Sequence, residues 1–241
     1  MEGPSIVIAT EELAAFYNHK IEKASGSAKF DWSQFKGQKL VITASWGKHL
    51  ILSFSHLTLR IHFLMFGSYR IDNPRDNRIP KMQLSINGHE LYFYSCAIKQ
   101  IEDDFGDLYD FTIDTMSPLW GGAEAKKSVM KKQNAYVCDV LMDQEIFAGV
   151  GNIIKNEVLY ILKMHPERKI SELTSIEVAR LVKVTRDYCL QFYEWKVSNV
   201  LKRNWKIFRK KTCPVCQTKV TKIPTGKLQR ISHYCEKCQS L

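Results

Sequence analysis

Two cysteine pairs, Cys213-Pro-Val-Cys216 and Cys235-Glu-Lys-Cys238, stand 18 residues apart and dictate more about this chain than any other stretch. Each pair can present two thiolates from one turn, and two such knuckles complete a tetrahedral Zn²⁺ site. Four thiolates leave no open coordination position, so the expected zinc is structural. Between the pairs, Gly226, Lys227, Gln229 and Arg230 suggest a hairpin carrying basic side chains. Cys96, Cys138 and Cys189 lie in apolar patterns and read as small core residues. Seven cysteines is an odd count, which fits a reducing compartment better than a disulfide framework.

The first half of the chain has a different period. Apolar residues alternate through Leu40–Ile42, His49–Phe54, Leu57–Phe63, Gly67–Ile71, Met82–Ile86 and Glu90–Tyr94, and Asn87-Gly88 is a strong hairpin turn. Short strands with turns between them predict an antiparallel sandwich or barrel. Ahead of them, Pro4 suits the first turn of a helix that the Ala/Leu/Glu-rich residues up to Tyr17 continue. Residues 103–125, with Asp103-Asp104, Ser117-Pro118 and Gly121-Gly122, show little periodicity and mark the domain boundary.

Helical spacing takes over in Tyr136–Phe147, Asn152–Met164 and Ser175–Trp195, with Thr174 or Ser175 as N-cap of the last. Gly149 and Gly151 allow a tight turn between the first two helices. Asn152 reads as the N-cap of the second, beside backbone N–H groups that attract anions. An ordinary helix connection and a phosphate cradle are both open on these residues alone.

Charge narrows the partner. Lys plus Arg number 35 against 25 Asp plus Glu, a net charge of +10, and the run 196–212 interleaves seven cations with Trp205 and Phe208. Such an excess points to a polyanion, with nucleic acid leading. No apolar run approaches a membrane span and no signal-peptide layout is present, so a cytoplasmic protein is expected, nucleoid-associated if bacterial.

Taken together, the glycine-turned helix pair, the basic four-cysteine hairpin, the β-rich first half and Glu2-Gly3-Pro4 resemble the Fpg/Nei family of DNA glycosylases. Asp143-Gln144, Ala148-Gly149, Gly151-Asn152 and Glu157 are similar to its helix-two-turns-helix element, and Arg230-Ile-Ser-His-Tyr-Cys235 to the end of its zinc finger. Trp46-Gly47-Lys48 falls where the family has a second catalytic lysine. His62-Phe-Leu-Met65-Phe66-Gly67 matches the loop that fills the gap left by an extruded nucleotide.

The resemblance implies an α+β fold: an N-terminal antiparallel β-sandwich with a flanking helix (1–115), a linker (116–131), a helical domain with the helix-two-turns-helix (132–210) and a zinc-finger β-hairpin (211–241). It implies a monomer that binds double-stranded DNA carrying a damaged base or abasic site, flips the nucleotide out and removes oxidised bases. The N-terminal amine would attack the sugar C1′, expel the base and form a Schiff base, after which elimination cuts the strand. An α-amine suits this, because its ordinary pKa near 8 leaves a neutral fraction at pH 7. Glu2 would move protons, Lys48 would hold the phosphate beside the lesion, and Leu64, Met65 and Phe66 with His62 would meet the vacated stack, Met65 as the wedge. Gly151, Asn152 and Arg230 would grip phosphates.

Four departures shape the expectation. The family begins Met-Pro-Glu, whereas Glu2 here follows Met1 directly, so the nucleophile is the primary amine of a retained Met1. Ser5 stands where a second glutamate is expected. No Arg-Arg-Phe-Gly wedge occurs near Ser95–Ile101, and the segment from Trp195 to Cys213 is short for a purine-capping loop, which places the chain nearer the endonuclease VIII-like branch. The alternative reading is a catalytically impaired protein that binds damaged or abasic DNA without the family's proline.

Overall fold

The structure is a computed structural model that describes residues 1–102 and 105–240; the Asp103-Asp104 pair expected at the boundary lies outside them. The chain divides into two compact units, one made of Met1 with Ser5–Asp110 and the other of Glu2–Pro4 with the residues from Phe111 onward.

Helix α1 (Gly3–Leu13), which belongs to the first unit from Ser5 onward, carries Pro4 in its first turn as expected. Strands β1 (Ile21–Ser25), β2 (Leu40–Trp46), β3 (His49–Phe54), β4 (Thr58–Ile71), β5 (Met82–Ile86) and β6 (His89–Ile101) form one antiparallel sheet in the order β1-β5-β6-β4-β3-β2. The expected sandwich or barrel is therefore a single hydrogen-bonded sheet. β6 pairs with β4 along both of its halves, β3 joins only the first half of β4, and β5 joins only the first part of β6. Asn87 and Gly88 take φ of 52° and 74°, the two positive values that a tight hairpin requires.

Two strands expected at Leu57–Phe63 and Gly67–Ile71 are one strand, β4, whose pairing with β6 slips between Phe63 and Ser68. The slip is a bulge. Phe66 adopts φ of 66°, and a Cβ at Gly67 would lie 2.6 Å from the Ser95 carbonyl oxygen of the facing strand. The core below the sheet includes Ile6, Leu13, Phe35, Leu50, Leu59, Ile61, Phe93 and Cys96, with the Met1 side chain packed against it.

The second unit contains α3 (Gly122–Lys131), which follows the short α2 (Phe105–Leu108) of the first unit, then α4 (Val137–Val140), α5 (Asn152–Ile161), α6 (Ser175–Val197), α7 (Leu201–Asn204) and the hairpin β7 (Thr221–Thr225) with β8 (Arg230–Tyr234). Residues 116–131, read as linker, include α3, which packs on α6 and buries Ala125 and Val129. Thr174 caps α6 through a full capping box with Glu177. Cys138 and Cys189 are buried as expected, and burial raises their thiols to about 11 and about 12. Among the described residues, no helix is long and apolar enough to cross a membrane.

The first helix of the glycine-turned pair is shorter than its periodicity predicts. After Val140 the chain leaves the helix because side chains take over the backbone. Asp143 Oδ1 accepts the Glu145 N–H at 3.0 Å, while Gln144 donates to the carbonyls of Met142 and Val150 and accepts the Gly149 N–H. Gly149, at φ of 98°, completes the turn.

Candidate functional site

The candidate residues fall into a group on each unit. In the sheet unit, Gly47 and Lys48 are the two-residue turn between β2 and β3, closed by the Trp46–His49 pair. Trp46 anchors that turn: its ring stacks on Tyr109 at 4.8 Å, and its Nε1–H donates to the Asp110 carbonyl at 2.9 Å. Behind the turn, His62 on β4 faces His49 on β3, with ring centroids 5.1 Å apart. The His62 ring is hydrogen-bonded to the Lys48 backbone. Burial, then the charge of the N-terminal amine, then Lys48 and Arg60 hold its pKa below the ordinary range. His49 is held down at about 4, by burial first and then by His62, Arg60 and Lys48. The Met1 amine, Lys48 and two neutral imidazoles thus share one neighbourhood.

Leu64, Met65 and Phe66 sit on the β4 bulge and are 50%, 68% and 77% exposed. An apolar triplet in a strand is ordinarily core. Here the bulge turns all three outward, and the φ of Phe66 with the tight seat of Gly67 maintains that geometry.

In the helical unit, the first turn of α5 is the centre. Gly151, not Asn152, is its N-cap, and Asn152 is the first helical residue. At this helix start, where the residues alone left a helix connection and an anion cradle both open, the protein places a carboxylate of its own. The Ile153 N–H donates to Glu2 Oε1 at 2.7 Å and the Ile154 N–H to Glu2 Oε2 at 3.3 Å, so the positive end of the helix faces the Glu2 carboxylate. The Gly3 N–H donates to the Gly149 carbonyl at 2.9 Å and fixes the residue that follows. Ser5, in the place of a second glutamate, is buried.

Asn152 turns its carboxamide to the hairpin, where Nδ2 donates to the Ile231 carbonyl at 3.0 Å. Two neighbours on α5 that the periodicity left unremarked do the same. Lys155 is 1% exposed, and its Nζ donates to Ser232 Oγ at 2.9 Å and to the Ile231 carbonyl at 3.3 Å. Burial brings its pKa down to about 8, with Arg230 adding to the fall and Cys138, Asp139 and Glu2 opposing it. Asn156 Oδ1 accepts the His233 N–H at 2.6 Å. The other end of the hairpin is tied by Asp139, which accepts the Lys227 and Leu228 N–H groups, and by Glu167, which accepts that of Gly226. Arg230, exposed at the start of β8, is therefore carried on a strand anchored along its length to α5.

Glu157, wholly buried, accepts the backbone N–H groups of Lys206, Ile207 and Phe208 at 2.7–2.9 Å and sets the path of the chain into the first cysteine pair. The four thiols converge: Sγ–Sγ separations are 3.3 Å for Cys216–Cys235, 3.5 Å for Cys216–Cys238 and 3.8 Å for Cys213–Cys238, and all four lie within 4.8 Å of one another. A tetrahedral ion with metal–sulfur bonds of about 2.3 Å needs sulfurs about 3.8 Å apart, so the donor set fits a thiolate-bound metal.

A sheet unit, a helical unit and a four-thiol hairpin make up the fold of a formamidopyrimidine-DNA glycosylase. The Lactococcus lactis enzyme, solved bound non-covalently to DNA containing an AP site, superposes with a TM-score of 0.85 at 19% identity over 100% of both chains. The family profile described as "Formamidopyrimidine-DNA glycosylase N-terminal domain" matches residues 7–96, and that described as "Formamidopyrimidine-DNA glycosylase H2TH domain" matches residues 119–191. The chain belongs to the Fpg/Nei family of DNA glycosylases, on its endonuclease VIII-like side. Endonuclease 8-like 3 of Mus musculus is 33% identical over 202 residues, 80% of this chain and 33% of that protein. Formamidopyrimidine-DNA glycosylase of Pelotomaculum thermopropionicum is 27% identical over 245 residues, 87% of this chain and 86% of that protein. The chain thus spans about a third of the length of its Endonuclease 8-like 3 relative.

Proposed function

We propose that the protein is a base-excision DNA glycosylase with abasic-site lyase activity, acting as a monomer on double-stranded DNA that carries an oxidised base. The Met1 amine attacks C1′ of the extruded nucleotide, the glycosidic bond breaks, and the base leaves with a proton. The ring C1′–O4′ bond then opens to give the imine, with Glu2 delivering the proton to O4′. Loss of a C2′ proton breaks the C3′–O bond and cuts the strand. Lys48, in its tight turn beside the amine, holds the phosphate next to the lesion. Leu64, Met65 and Phe66 fill the vacated stack, His62 serves the same DNA contact, and Gly151, Asn152 and Arg230 serve the helix-two-turns-helix and hairpin grip on the backbone. Cys213, Cys216, Cys235 and Cys238 hold Zn²⁺, which fixes the hairpin and performs no chemistry.

The observation that carries this reading is the seating of Glu2 on the first turn of α5, which makes the residues around the amine part of the fold rather than a loose end. Borohydride added to the protein with an abasic-site duplex should trap a covalent adduct, mapped by peptide mass to Met1. No adduct at any pH from 6 to 9 rejects the enzyme. Tight, lesion-selective binding without adduct would instead establish the second reading, a damaged-DNA binder, which the primary amine of Met1 in the family's proline position favours.

A further inference from the structure

Beside the four thiols, the helical unit has a recess of about 770 Å³ lined by Arg209, Lys210, Lys211, Lys219, Lys222 and His233. Its walls are held by backbone bonds. The Val220 N–H donates to the Lys211 carbonyl at 2.9 Å, the Cys213 N–H to the Thr218 carbonyl at 2.8 Å, and Lys222 is in register with His233 across the hairpin. The cations are presented from a fixed frame.

Their charge is uncompensated. None of the lining residues is acidic, and among the described residues none of the five cations is in an ion pair. Five like charges around one concavity raise the local potential and concentrate anions there. His233 adds a second, independent sign of a missing ligand: it is 6% exposed, and its Nδ1 is buried without a hydrogen-bond partner. Buried polar atoms are ordinarily satisfied, by protein or by something bound.

The recess is separate from the residues assigned to the lesion. Side chains alternate along a strand, so Arg230 and His233, three positions apart on β8, emerge from opposite faces of the hairpin. A phosphate held by Arg230 cannot be the one held in the recess. The recess is also larger than one tetrahedral anion needs, and its five long cations suit consecutive phosphates. We propose that it is a second nucleic-acid site, which holds the phosphodiester backbone of a strand segment other than the one that Arg230 contacts. This goes beyond the glycosylase reading and does not require it.

The test uses the full chain loaded with zinc and undamaged DNA, so failure of lesion chemistry leaves the readout intact. Affinity is measured for a short blunt duplex and for the same duplex with a single-stranded extension, as a function of salt. With Lys210→Gln, Lys219→Gln and Lys222→Gln combined, the gain from the extension should fall about tenfold. The slope of log K against log salt should shrink by about 2, near 0.7 per lost single-strand phosphate contact. In the unaltered protein, amide resonances of Lys222 and His233 should shift when the extended duplex is added, a readout that survives if the triple variant fails to keep its metal. An unchanged gain and slope, or no shift at those amides, would overturn the proposal. So would inorganic phosphate saturating the same amides at micromolar concentration with the extended duplex no better, which would make the recess a free-phosphate site.

Discussion

Glu2 and Gly151 share one volume: a Cβ on Gly151 would lie 2.5 Å from Cγ, Cδ and Oε1 of Glu2. Gly151 has φ of −121°, so its conformation makes no special demand, and it is space that requires glycine here. The Ile153 and Ile154 N–H groups at this helix start, which an anion would otherwise seek, are taken by the protein's own carboxylate.

Gly151→Ala should expel that carboxylate while leaving the fold in place. The lost cap costs about 1 kcal/mol of stability, whereas loss of the positioned proton carrier should slow adduct formation by about 100-fold or more. Single-turnover trapping and a thermal melt measure the two. A rate within twofold of the unaltered protein would show that the seat is not needed for the reaction.

Phe66→Ala and Met65→Ala remove apolar surface that is already in water, so stability should stay within about 0.5 kcal/mol. If these side chains stabilise the gap left by a flipped nucleotide, affinity for abasic duplex should fall about tenfold with that for intact duplex unchanged, because unstacking carries a few kcal/mol. Equal losses on both duplexes would assign the triplet to general contact.

Glu157→Ala strands three N–H groups, that of the exposed Lys206 and those of the buried Ile207 and Phe208. At 1–3 kcal/mol each the loss should be about 3 kcal/mol or more, read by chemical denaturation. Metal should also be released more easily, since these residues lead into Cys213. A variant as stable as the parent would show that the segment finds other acceptors.

Acid should weaken the sheet unit through His49. Its folded pKa of about 4 lies below the ordinary 6.5, so the folded state prefers the neutral ring. That contribution is complete above pH 6.5, shrinks as pH falls towards 4 and is lost below it. His49→Asn removes the titration, and its melting temperature should fall less over that window than the parent's. Parallel curves would clear His49 of the effect.

Patterning predicted much of this architecture because its signals are local. Period-two alternation located β3, β5, most of β4, the start of β2 and the first part of β6, and the Asn87-Gly88 turn followed from its dipeptide. β1 escaped because Ile21-Glu-Lys-Ala-Ser25 buries only Ile21 fully and shows no alternation. α3 escaped because two glycines open it. α4 was overextended because periodicity cannot register side chains that take backbone bonds, as Asp143 and Gln144 do.

The site was legible to the same degree. The thiols converge as their spacing requires, and the Met65 triplet lies outside although its pattern alone argues for core. Asn152 was misplaced by one position, because the residue competing for the helix start is Glu2, far away in sequence. Lys155 was missed because a lysine on an amphipathic helix reads as solvated, and only the hairpin packed over it makes it interior.

The convergence of Cys213, Cys216, Cys235 and Cys238 has a consequence for redox chemistry. Without a bound ion, thiols 3.3–3.8 Å apart are poised to couple, and an oxidant would close disulfides that draw the knuckles out of tetrahedral shape. Metal stripped in air should therefore not return on adding Zn²⁺ until a reductant reopens those bonds, so the hairpin's grip would depend on the thiol balance around it as well as on the supply of the ion.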